Sequence, residues 1–336
     1  MRAMFIFLMV VLTMMGCTTA VAPSSQNLLV LSDTVPMDDI VLFYEDFSRG
    51  GNTSVANDIS VSVKYSGEAV EETSGFGYFS SEGQEIAYIQ RNRDLGQVFT
   101  YPDSLNAKNL KSITLRLGYG SNVVREGMYG QNVSLQILEV FGEGYINNNG
   151  SDSTMSAFHG FPHNRYSEAI AHHRDDFYEG LEFSSLAVFR GYRFPGKTDF
   201  GFDSDTVAVS PDHPDLKGRF LQFIIPDASA VVLEAGKRYA FMLMIDEIGV
   251  DRGFTLANWS VGSYPGGHGI RREGLGQFPP APFDPSKTMD DPANELAVKS
   301  AYLPHNFEER VNLMPGTNGY PDVCTFRDLV FYIEAD

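Results

Sequence analysis

Short apolar runs with a period of two, cut every few residues by glycine or proline, leave this chain few folds to choose from. Ile113, Leu115 and Leu117 point one way along their segment, as do Val133, Leu135 and Ile137 with Val140 nearby, and Ile59, Val61 and Val63 within 59–64. Alternation of this kind marks a half-buried strand. The stretches 40–44, 220–225, 239–245 and 329–333 are instead continuously apolar or nearly so, the pattern of strands covered on both faces. Turn punctuation comes from 32 Gly and 17 Pro, and a 12% aromatic share suits a β-rich core. Helix signals are few: 166–178, with Ser167 as a cap, and the weaker 290–298. The reading is an all-β body, an antiparallel β-sandwich of jelly-roll type with little helix. Two irregular stretches, about 142–179 and 260–320, exceed ordinary connections and are the insertions in which function is expected.

The N-terminus reads as an export address. Arg2 precedes an apolar run over 3–15 broken only by Thr13, and Gly16 stands before Cys17. Charge, short apolar segment and small residue make a signal peptide. The Gly-Cys ending resembles the bacterial lipobox, which implies that Cys17 is diacylated and anchors the protein to a membrane. The apolar run is shorter than the roughly 20 residues needed to span a bilayer. An ordinary secretory signal is the alternative. Thr18 lacks the acidic character that retains lipoproteins at an inner membrane, so the expected location is the cell envelope, at the outer membrane. The organisation expected is a signal at 1–17, a small, polar tether at 18–38 and one sandwich domain over 39–336.

A formal charge of −18 repels phosphate backbones and argues against nucleic acid as a partner. Of the two cysteines, only Cys324 remains once Cys17 is acylated, so no intramolecular disulfide is expected. Cys324, between Val323 and Thr325, reads as buried packing.

Four segments carry a family resemblance. Asp94-Leu95-Gly96-Gln97-Val98-Phe99-Thr100 leads to Leu110-Lys111-Ser112-Ile113-Thr114-Leu115-Arg116-Leu117. Val133-Ser134-Leu135-Gln136-Ile137 follows, and later Val232-Leu233-Glu234-Ala235-Gly236-Lys237-Arg238-Tyr239-Ala240-Phe241. Together they resemble the jelly-roll β-sandwich modules of exported bacterial proteins, including choice-of-anchor and carbohydrate-binding modules. The resemblance covers about 90–260 and implies the fold; activity must come from a site.

Three groups of residues have chemistry to offer. The first lies in 158–179, which holds four of the seven histidines with Arg165, Tyr166 and Arg174. Imidazoles suit a transition metal or proton transfer, although no His-Glu-x-x-His motif is present. β-Elimination on an acidic polysaccharide needs a cation against the carboxylate, a base and an acid. Arg165 or Arg174 would neutralise, and His163, His172 or Tyr166 would move protons. The strand signatures of jelly-roll alginate lyases are missing, and a solvated polar loop explains the same residues.

The second group surrounds the single tryptophan. Trp259, Tyr264, His268, Arg271 and Arg272 offer rings and donors to a sugar, with Tyr320 as a further contact; a core tryptophan is the plainer reading. The third is acidic. Glu45 and Asp46 end the first expected strand and Glu334 and Asp336 the last, so a structural Ca²⁺ between neighbouring strand ends is expected. The leading functional expectation is non-catalytic binding of a polysaccharide or oligosaccharide. A lyase using the histidine-rich insertion and a structural or assembly lipoprotein are the alternatives.

Overall fold

The period-two segments around Ile113 and Val133 fold as their pattern dictates. The structure, a computed structural model, describes residues 27–35, 39–46, 50–58, 60, 64–65, 86–87, 91–142, 145–146, 178–179, 181–227, 230–259, 264–273, 307–312, 322–324 and 328–336. In chain order the strands begin with β1 (Leu29–Ser32), β2 (Ile40–Tyr44), β3 (Gly50–Asp58), β4 (Lys64–Tyr65), β5 (Ile86–Ala87), β6 (Arg91–Thr100) and β7 (Lys108–Arg116). Next come β8 (Asn132–Phe141), β9 (Tyr145–Ile146), β10 (Tyr178–Glu179), β11 (Glu182–Arg193), β12 (Phe220–Ile224) and β13 (Val232–Leu233). The last are β14 (Arg238–Ile245), β15 (Gly253–Trp259), β16 (Gly269–Glu273), β17 (Asp322–Cys324), β18 (Asp328–Leu329) and β19 (Phe331–Ala335). One short α-helix, α1 (Phe307–Val311), is present among the described residues.

Two antiparallel sheets make the sandwich. The six-stranded sheet runs β1-β12-β7-β19-β2, with β13 also on β7. The nine-stranded sheet runs β11-β8-β14-β6-β3-β15-β18. β6 forks on its other edge: Arg91–Arg93 pair with β3, whereas Arg93–Gln97 pair with β16, which in turn pairs with β17.

Alternate residues of both sheets meet in one core. Ile113 and Leu115 come from β7, Leu135 and Ile137 from β8, Leu95 and Phe99 from β6, and Phe331 and Ile333 from β19. Phe99 sits at its centre, 5.9 Å from the Tyr239 ring, 6.5 Å from Phe241 and 6.4 Å from Phe331. Each such side chain contributes about 1.5–3 kcal/mol by leaving water. The continuous run of β14 has a second reason. Its alternate residues Ala240, Met242 and Met244 face outward, where they join Val98, Leu138, Ile270 and Val311 of α1 in a second buried cluster.

The sheets join along one side. Leu329 belongs to the nine-stranded sheet, Val330 turns the corner, and Phe331 opens β19 of the other. The end of β7 meets β15 through a Leu117–Leu256 bridge and a bond from the Gly118 N–H to the Thr255 carbonyl, 2.9 Å.

Several expectations shift. The tether expected over 18–38 yields Leu29–Ser32 to an edge strand paired with Phe220–Phe223, because β12 presents an open backbone edge there. The strand expected at 59–64 falls mostly outside the described residues: β3 precedes it, beginning with small and polar residues, and Lys64 pairs in β4. Ile59 and 61–63 lie outside the described residues. Tyr178, expected at a helix end, pairs in β10 with Ile146; 166–177 and 290–298 lie outside the described residues.

Candidate functional site

The outward face of the six-stranded sheet carries rings where β2, β19, β7 and β12 lie side by side. Inward positions on these strands are occupied by Leu42, Phe331, Leu115 and Leu221, so their neighbours in sequence point out. Phe43 and Tyr332 are register partners and stack 6.0 Å apart at an interplanar angle of 12°. Phe220, paired with Arg116, meets the edge of Tyr332 at 6.0 Å. Phe43 keeps 54% of its surface in water. A single exposed apolar side chain is ordinary; Phe43 differs in being stacked on a second ring that adjoins a third.

Polar groups frame these rings. The Tyr332 hydroxyl donates to Glu45 Oε2 at 2.8 Å. Burial and this carboxylate hold the Tyr332 phenol above its ordinary range, and the charges of Glu45 and Arg116 both reach it. The Arg116 guanidinium lies 4.8 Å from the Tyr119 ring centre and 5.0 Å from that of Phe220, with its Nε donating to the Gly218 carbonyl at 3.1 Å. Cation–ring contacts of this kind fix a guanidinium by its flat face. Gly218 has φ +69°, and a side chain there would strike the Tyr119 phenol, so glycine gives Tyr119 its seat. Asn52 Oδ1 accepts from the Tyr119 N–H at 2.9 Å, which holds the ring's backbone. Tyr119 is 40% exposed. Phe43, Glu45, Arg116 and Tyr119 thus form a surface with apolar faces, a donor and an acceptor.

The residues expected around the tryptophan are placed differently. Trp259 ends β15 opposite Gly50 and Asp328 and is only 9% exposed. The Tyr264 ring is buried 5.3 Å from those of Tyr44 and Phe331, and its N–H donates to Asp328 Oδ2 at 3.0 Å. His268 is half-buried, and burial lowers its pKa while Asp328 opposes the shift. Arg271 is buried opposite Leu95 and Asp322.

Arg272 is buried on the other face. Its Nε donates to Asp94 Oδ2 at 2.9 Å, its Nη2 to Gln136 Oε1 at 3.1 Å, and its Nη1 to the Arg310 carbonyl. Arg310 of α1 bonds both oxygens of the same Asp94, its Nε reaching Oδ2 at 2.9 Å. The sugar-donor roles expected for Arg271 and Arg272 therefore give way to structural ones, and Trp259 and Tyr264 to core packing. Tyr320 lies outside the described residues.

The expected calcium ligands do not meet. β2 and β19 are antiparallel, with Tyr44 opposite Phe331 and Ile40 opposite Glu334. Glu45 and Asp46 therefore follow one end of this pair, and Glu334 and Asp336 occupy the other. Glu334 is buried, accepting from Ser112 and from Gln222 Nε2, the latter at 2.6 Å, while Asp336 lies 3.7 Å from Lys111 Nζ. Among the described residues no three His, Cys, Asp or Glu side chains are grouped to hold a metal ion. His163, Arg165, Tyr166, His172, Arg174 and Cys17 lie outside the described residues.

No protein-family model matches this chain, and neither does any curated protein or solved structure. The surface around Phe43 escaped sequence reasoning. Its only signal was a phenylalanine and an arginine falling at outward positions of strands whose inward positions were legible.

Proposed function

We propose that this protein is an exported, lipid-anchored β-sandwich that binds carbohydrate without catalysis, through the outward face of the six-stranded sheet. The observation that carries the reading is the pair of exposed rings, Phe43 and Tyr119, each seated on a second ordered group. Phe43 stacks on Tyr332, and Tyr119 lies over the Arg116 guanidinium. A sugar ring has apolar C–H faces and a polar rim. Flat aromatic surface takes the first; the Arg116 guanidinium and the Glu45 carboxylate take the second. Held rings also lose little freedom on binding, which favours affinity from a small contact.

The test is affinity electrophoresis and titration calorimetry on the full chain in detergent, across soluble polysaccharides. Retention by at least one polymer is expected, with Phe43→Ala and Tyr119→Ala each weakening it about tenfold, equivalent to about 1.4 kcal/mol. Both positions are exposed, so folding stability should change by only about 0.5 kcal/mol. Retention that is unaltered in both variants counts against this surface. The anchor is tested separately, by incorporation of labelled fatty acid and its loss in Cys17→Ser.

A further inference from the structure

We infer that the ligand of this surface is a neutral glycan, its hydroxyls recognised by Glu45 and Arg116, and not a uronate or sulfated polymer. The inference rests on the carbohydrate-binding reading above and narrows it. Glu45, exposed at the end of β2, is an acceptor only, and Arg116 is a donor only. The two stand on the same face: Glu45 Oε2 accepts from the Tyr332 hydroxyl at 2.8 Å, the Tyr332 ring lies 6.0 Å from that of Phe220, and the Arg116 guanidinium lies 5.0 Å from the Phe220 ring centre. A hydroxyl donates and accepts, so a sugar carrying neighbouring hydroxyls satisfies both groups at once. A carboxylate or sulfate accepts only; it would suit Arg116 and leave its lone pairs opposed to those of Glu45.

Charge points the same way. Asp46 follows Glu45 at the rim and is also exposed. The chain as a whole carries −18, so an approaching polyanion meets repulsion at long range as well as at contact. Screening shortens the long-range part to about 8 Å at physiological salt, which leaves the Glu45 carboxylate to decide at contact. The guanidinium, held flat between the Tyr119 and Phe220 rings, acts here as a directed donor more than as an anion trap.

The experiment compares neutral glucans, mannans and galactans with polyuronates and sulfated galactans, using the full chain in detergent at two salt concentrations. Neutral polymers are expected to bind at least tenfold more tightly than any anionic one at 0.15 M salt, with affinity nearly independent of salt. Glu45→Gln should narrow that gap by strengthening the anionic ligands. Tighter binding of a uronate or sulfated polymer, weakening steeply as salt rises, overturns the neutral assignment while leaving carbohydrate binding intact. Failure of every polymer to bind overturns both.

Discussion

Asp94 and Arg272 face each other as register partners on β6 and β16, and Arg272 Nε meets Asp94 Oδ2 at 2.9 Å. Arg310, delivered by α1, shares the same carboxylate. Burial pushes both guanidinium pKa values down to about 9, which leaves both cationic at neutral pH. Among the described residues, two buried positive charges therefore lean on one carboxylate. The remaining donors are directed to Gln136 and to the carbonyls of Arg310 and Ile245. Removing one member of a buried ion pair leaves an uncompensated charge, and that asymmetry drives the first prediction.

Asp94→Asn takes from two buried guanidiniums the carboxylate they share and should cost about 3–5 kcal/mol, read from urea unfolding. Arg310→Met leaves a balanced Asp94–Arg272 pair and should cost markedly less. In that variant hydrogen exchange should quicken over 307–312 while β6 and β16 stay protected. Equal losses in the two variants would falsify the surplus-charge account.

Gly96 sits in the middle of β6, between Met242 of β14 and Ile270 of β16. A methyl group there would land on the Phe241 carbonyl, which is backbone and cannot turn aside. Gly96→Ala should force the two strands apart and destabilise the fold by about 3 kcal/mol, at the upper end of ordinary overpacking. A thermal midpoint unchanged from the parent protein is the contrary result.

Tyr332→Phe deletes the hydroxyl that donates to Glu45 and keeps the ring stacked on Phe43. The expected loss is about 1 kcal/mol of folding stability. Glycan affinity should also fall, because Glu45 loses the bond that orients it. Calorimetry separates the two effects, and unchanged affinity would show that Glu45 needs no such support.

His268 gives a pH signature. Burial lowers its pKa below the ordinary 6.5, so the folded state resists a proton that the unfolded chain accepts. Above 6.5 both states are neutral and the group adds no slope. As pH falls through that value the unfolded state binds more protons, and stability drops until the folded pKa is passed. Urea midpoints at pH 7.5 and 5.5 should fall further apart in the parent than in His268→Gln. Identical drops would assign the acid sensitivity to carboxylates instead.

The sheet core was legible because its strands announce themselves. The alternation around Ile113 and Val133 and the apolar run of β14 needed no tertiary knowledge. β3 was illegible: Gly-Gly-Asn-Thr-Ser has neither alternation nor β-branched density, and it becomes a strand because β15 and β6 offer it partners on both sides. Arg271 and Arg272 were misread for a different reason. A sequence prints the same letters for an exposed cation and for one buried against a carboxylate 178 positions away. The exposed rings were hidden by register. Phe43 looked like core in an unbroken apolar run, and only its pairing with Tyr332 across β19 shows that it points outward.

β1 and β2 form the two opposite rims of the six-stranded sheet, yet both come from the start of the chain. Among the described residues β1 pairs with β12 and β2 with β19. β1 has nothing to dock on until β12 has been made, and β2 nothing until β19 has. Contacts so distant in sequence slow folding, toward the millisecond-to-second range of all-β domains. The sheet that carries Phe43 and Arg116 is therefore finished at its edges last, β2 being seated only when β19 is in place.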